Sequence, residues 1–186
     1  MGDRHWHSAW SVTRILSQRW PMPPYVPQSA LERGRAVHHW CELWDKGCAP
    51  TPPPAIAGYC LGWKQFEYAF SPSWREDGVE CPVDTDDYHG IVDRHGWIKD
   101  GKPVVLEIKC GTPRAHGVDG IQLAAYARAL EPTTYEKLLR VAVYLTNKPE
   151  GAFKVHVYGD PHDHVVWRHL VKEVVYGSST PHPTRT

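Results

Sequence analysis

The stretch His89-Gly-Ile-Val-Asp-Arg-His-Gly-Trp-Ile-Lys-Asp-Gly-Lys-Pro-Val-Val-Leu-Glu-Ile-Lys109 decides the reading of this chain. His89–Lys99 and Val104–Lys109 read as strands, and Asp100-Gly101 between them is a hairpin signal. Side chains alternate along a strand, so Glu107 and Lys109 share one face and Leu106 and Ile108 the other. A carboxylate inside so apolar a run is costly to bury without a partner. Two readings follow. Glu107 and Lys109 form an ion pair on a solvent-facing strand, or Glu107 joins Asp93 of the preceding strand in a compact site. Two carboxylates and an ammonium on neighbouring strands suit a hard divalent cation such as magnesium, which takes oxygen ligands and keeps several waters.

The second reading sets a geometric condition. A two-residue turn at Asp100-Gly101 pairs Lys99 with Lys102 and places Asp93 opposite Ile108. The two carboxylates then point to opposite faces. A slip of one residue exchanges the faces. A shared site therefore requires an odd-length loop at Lys99–Lys102 or a β-bulge between Asp93 and the turn, with Gly96 the expected bulge position.

Working outward, Trp74–Val83 is a further strand, and Lys137–Thr146 and Phe153–Tyr158 are two more. Ser29-Ala-Leu-Glu32 has the form of a capping box opening a helix to about Lys46, with Gly47 as its stop. Ala30, Gly34, Val37, Cys41 and Trp44 form its apolar seam. Pro50–Pro54 is a rigid connection, and Gly58–Ala69 is a second helix. Asp119–Leu130 returns to helical spacing. Asp160-Pro161-His162-Asp163 starts a last helix that runs to about Tyr176. The order α-α-β-β-β-α-β-β-α predicts the α/β class: one domain over residues 29–176, with a central mixed sheet flanked by helices. Residues 1–28, with Pro21, Pro23, Pro24 and Pro27, read as irregular, and 177–186 as a disordered tail.

Composition excludes several classes. The 186 residues carry 21 Lys+Arg and 21 Asp+Glu, so the chain is neither a basic coat protein nor an acidic tail. No apolar run approaches the ~18 residues of a membrane span. The N-terminus shows no signal peptide, and Trp6 stands where a myristoylation signal needs Ser or Thr. The five cysteines contain no C-x-x-C pair, which reads as free thiols in a reducing, cytoplasmic compartment. Charge is nonetheless uneven. Glu76 to Asp93 holds seven acids and no Lys or Arg, whereas Arg94 to Arg114 is mostly basic.

Gly90-Ile-Val-Asp93, then Glu107-Ile-Lys109, then Gln122-Leu-Ala-Ala-Tyr126 resembles the PD-(D/E)XK nuclease superfamily. More narrowly, it is similar to the RecB nuclease domain, lambda-type exonucleases and CRISPR-associated RecB-like nucleases. That branch also carries a histidine on an upstream helix after a glycine, and this chain offers Gly34-Arg-Ala-Val-His38. The resemblance spans residues 29 to about 130. It implies a restriction-endonuclease-like core and DNA as the partner. Asp93, Glu107 and the Ile108 carbonyl would bind Mg²⁺ or Mn²⁺, Lys109 would be catalytic, and His38 a further ligand. His38 read without the resemblance is sooner a helix histidine satisfied by a hydrogen bond than a ligand, and His39 beside it is on the wrong face. Glu80 is a weaker candidate, for which an exposed strand is the simpler account. Gln122 and Tyr126 share a helix face; in the family that face contacts substrate, and packing is the alternative. Arg33, Arg35 and Arg114 could hold phosphates or be solvated.

No cysteine follows Cys110, which excludes the family's iron–sulfur cluster, and no P-loop is present, so no nucleotide cofactor is implied. The expected activity is metal-dependent hydrolysis of DNA phosphodiesters by an exonuclease of bacterial or phage recombination, repair or DNA processing. That role is compatible with a homo-oligomer or a recombination or repair partner. The alternatives are a structure-specific or restriction-like endonuclease and an inactive nuclease-fold binding module. A zinc-binding interaction protein is a further class, but only His38-His39-Trp40-Cys41 is a tight ligand cluster and it lacks a second pair.

Overall fold

Ser11 opens the first helix. Its Oγ accepts a hydrogen bond from the Arg14 amide at 3.2 Å, capping helix α1 (Val12–Arg19). Val12, Ile15 and Leu16 are buried along one face of that helix. This corrects the expectation of an irregular segment over 1–28. The prolines bound a short helix rather than abolish it, because Pro21 disfavours helical geometry at Trp20 and so ends α1. The computed structural model describes residues 6–21, 25–112 and 117–177. The expected tail beyond Gly177 lies outside them.

Helix α2 (Gln28–Asp45) is capped by Pro27 without a side-chain hydrogen bond, so the expected capping box is not made. Glu32 is instead held by Gln28 Nε2 at 3.0 Å. Helix α3 (Ala57–Phe70) follows the proline-rich connection. Strands β1 (Ser73–Asp84), β2 (His89–Ile98) and β3 (Lys102–Cys110) precede helix α4 (Val118–Leu130). Strands β4 (Leu139–Thr146) and β5 (Ala152–Val157) lead into helix α5 (His162–Tyr176). Asp160 Oδ1 accepts from the His162 amide at 2.8 Å, and Gly177 ends the helix at φ 65°.

The five strands lie in the order β1-β2-β3-β4-β5, a single mixed sheet flanked by helices. β3 and β4 are parallel and joined through α4; the other neighbours are antiparallel. Because β3 and β4 are covered on both faces, they read as continuous apolar runs. Val104, Leu106, Ile108, Val141, Val143 and Leu145 pack with Val37, Trp40, Trp63 and Phe66 of α2 and α3. Val105, Ala142 and Tyr144 belong to the second core, with α1, α4 and α5. No helix among the described residues is long and apolar enough to cross a membrane.

The hairpin condition is met by its loop. Ile98 pairs with Lys102, leaving the three residues Lys99–Gly101 as the connection. Asp100 and Gly101 both take left-handed conformations, at φ 70° and 68°. The last ladder pair is Arg94 with Leu106, and the same register continued puts Asp93 across from Glu107. No bulge occurs at Gly96, which pairs regularly with Val104; the irregularity is in β1, between Trp74 and Val79. Gly96 serves a different need. A Cβ there would sit 2.3 Å from the Ser73 carbonyl oxygen, so only glycine lets the bulged strand approach.

Candidate metal centre

Beyond Arg94 and Leu106 the β2–β3 ladder stops, and the Asp93 side chain takes over. Its Oδ2 accepts from the Ile108 amide at 2.6 Å. Its Oδ1 lies 3.2 Å from His38 Nδ1 on α2. Glu80 of β1 completes a group with them: one donor atom each from His38, Glu80 and Asp93 lie within 4.8 Å of one another. Glu80 is therefore not a residue of an exposed strand. It is half-buried, takes φ 53°, and accepts from Arg94 Nη1 at 3.2 Å.

Glu107 flanks this group rather than belonging to it, and is 4% exposed. Its Oε2 accepts from Lys109 Nζ at 2.9 Å and from Gln122 Nε2 at 3.2 Å. Its Oε1 is buried without a hydrogen-bond partner. Lys109 Nζ also donates to Gln122 Oε1 at 3.2 Å, and Gln122 Nε2 to the Tyr126 hydroxyl at 3.3 Å. The helical spacing of Gln122 and Tyr126 thus carries one row of polar contacts into the strand pair. Gly90 lies against the Tyr126 ring, where a Cβ would stand 2.8 Å from Cε1.

The charges are strongly interdependent. Burial presses the Asp93 pKa upward, yet the charge and hydrogen bond of His38, Lys109 and the Ile108 amide bring it below its usual range. Burial and the nearby Asp93 push Glu107 up to about 7. The Asp93 carboxylate, against the pull of burial, raises His38 to about 9. Burial and Asp93 also raise Glu80. Carboxylates held this close repel one another unless a cation stands among them.

Of the other expected residues, Ile108 enters through its amide, which donates to Asp93, and its carbonyl is the group that the family resemblance implies. Arg33 is half-buried on α2 and its Nε has no hydrogen-bond partner. Arg35 is exposed, and Arg114 lies outside the described residues. His39 points away, 3.5 Å from Glu42. Arg94 and Asp45 were not expected here. Their side chains are ion-paired and both 0% exposed.

The imidazole nitrogen of His38 and the carboxylate oxygens of Glu80 and Asp93 form a donor set able to hold a metal ion. The buried, unpartnered Glu107 Oε1 beside them fits the same group. Among the described residues no thiol belongs to the cluster.

No protein-family model and no curated protein matches the chain. Among solved structures, one titled "Crystal structure of SSO0001" is similar over 91% of this chain and 85% of that one, at 18% identity and a TM-score of 0.38. That likeness is too distant to bear on function.

Proposed function

We propose that this protein is a divalent-metal-dependent DNA nuclease of the PD-(D/E)XK kind, acting as an exonuclease in recombination, repair or phage DNA processing. The observation that carries the reading is the buried Glu107. One of its oxygens is held by Lys109 and Gln122, and the other is unpartnered beside the His38–Glu80–Asp93 group. His38, Glu80, Asp93 and Glu107 would hold Mg²⁺ or Mn²⁺. The ion, when bound, would supply Lewis-acid polarisation of a phosphate and a more acidic water. Lys109 is held by Glu107 and Gln122 and would offer its ammonium to negative charge developing on the phosphate. Gln122 orients both Glu107 and Lys109, and Tyr126 steadies Gln122 from the next turn. The preference for chain ends rests on the Gln122–Tyr126 helix face by family resemblance.

The test uses DNA labelled at the 5′ or 3′ end, in linear and circular form, with magnesium or manganese. Mononucleotides released from linear DNA alone are expected. Cutting of circular DNA would make the protein an endonuclease. No cleavage of DNA or RNA with either ion would overturn the reading.

A further inference from the structure

His38, Glu80 and Asp93 come from three separate elements, α2, β1 and β2, and one side chain touches all three elements. Arg94 Nε donates to Asp45 of α2. Its Nη1 donates to Glu80 of β1 at 3.2 Å and to the Asp93 carbonyl of β2. Asp45 stands two turns beyond His38 on α2, so the two share a helix face. Asp45 is itself fixed, accepting from Trp63 Nε1 at 2.9 Å, and the Arg94 guanidinium lies 5.5 Å over the Trp63 ring. Burial and the neighbouring Asp45 raise the Glu67 carboxyl to about 7.

We infer that Arg94 is a positioning residue for the cation site, its guanidinium fork setting the separation of the three ligand-bearing elements and drawing Glu80 in as an additional carboxylate. This rests on the cation-site reading above. The arms to Glu80 and to the Asp93 carbonyl reach residues of the ligand group itself. Glu80 also holds a left-handed backbone, which is unfavourable for a residue with a Cβ and persists only where its surroundings enforce it. The Arg94 contact supplies that constraint. Lysine cannot replace it, because a single ammonium lacks the planar fork that spans several partners.

The experiment measures Mn²⁺ binding to the full chain by titration calorimetry without DNA, with a thermal melt of each variant. Arg94→Lys and Asp45→Asn are each expected to weaken Mn²⁺ binding by about 10- to 100-fold while remaining folded. Asp45→Asn keeps the side-chain volume and touches no cation donor, so it decides the matter if Arg94→Lys does not fold. Arg140→Lys, a buried arginine outside the site, is the control; it should lower the melting temperature and leave Mn²⁺ affinity unchanged. Wild-type affinity in a folded Arg94→Lys or in Asp45→Asn overturns the positioning role and leaves the cation site standing. Wild-type affinity in Asp93→Ala, or no binding by the wild-type chain, overturns the cation site and the positioning role with it.

Discussion

Arg94 and Arg140 are both buried, each pairs with a buried aspartate, and each ties several elements together, yet the histidines near them shift in opposite directions. Arg140 of β4 donates to the Gly120 carbonyl of α4, to Asp163 of α5 and to the Asp160 carbonyl. Arg94 joins α2, β1 and β2. Near Arg94, Asp93 and the other carboxylates raise His38 to about 9. Near Arg140, burial and the cations Arg140, Arg128 and Arg168 lower His164 to about 4. The same device therefore sits in fields of opposite sign. Around Arg94 the carboxylates of Asp93, Glu107 and Glu80 favour positive charge on His38. Around Arg140 the positive groups prevail, and the pair only fastens helices to the sheet.

The largest effect expected lies on the Arg94 side. Asp93→Ala or Glu107→Ala should reduce DNA cleavage by at least about 100-fold with the fold intact, as far-ultraviolet circular dichroism would show. Cleavage by Glu107→Ala at the wild-type rate would return Glu107 to a structural pair with Lys109 and erase the contrast between the regions.

Next comes the direct exchange. Removing one partner of a buried pair costs about 3–5 kcal/mol, so Arg94→Met and Arg140→Met should lose similar stability in urea titrations. Only Arg94→Met should also lose Mn²⁺ affinity. An equal loss of affinity in both would show that the two arginines do one structural job.

A smaller effect separates the regions by pH in chelator-treated protein. His164 takes up its proton near 6.5 when unfolded but only near 4 when folded. Its contribution is thus full above 6.5 and is lost as pH falls from 6.5 through 4. His38 binds its proton more tightly when folded, so its contribution is full below 6.5 and lost as pH rises through about 9. Urea midpoints should therefore decline on the acid side less steeply in His164→Gln, and on the alkaline side less steeply in His38→Gln. Unchanged limbs in either variant would break the opposition.

The smallest effect is Asp160→Ala, which removes the side chain bonded to the His162 amide at the start of α5. It should cost about 1 kcal/mol and leave Mn²⁺ affinity untouched. A measurable change in affinity would mean that the Arg140 region communicates with the site.

Period and punctuation were enough to read β1 to β5 and most helices from the sequence. The parity of the hairpin demanded an odd loop, and Lys99–Gly101 is one. Helix α1 was missed although Ser11 and the spacing of Val12, Ile15 and Leu16 signal it; the nearby prolines outweighed eight residues of pattern. The expected box at Ser29 fails because Pro27 is the N-cap of α2, two positions before Ser29. Glu80 was legible only as a weaker candidate, and Arg94 was beyond local reading. Glu80 reaches the site only through a left-handed backbone in a bulged strand, and Arg94 only by pairing with a helix end 49 positions away. Arginine within an alternating strand looks like solvated surface until the partner's place in space is known.

That separation of 49 positions between Arg94 and Asp45 has a kinetic side. Closing so long a loop is entropically unfavourable, and neither charge gives up its water before the partner is in place. The pair should therefore be absent from the folding transition state and form as the last contacts close. Substitutions at Arg94 would then leave the refolding rate nearly unchanged and accelerate unfolding, which stopped-flow rates across a urea series can resolve. For a site assembled in this way, the geometry of the His38, Glu80 and Asp93 group is among the last things the chain acquires and the first it gives up.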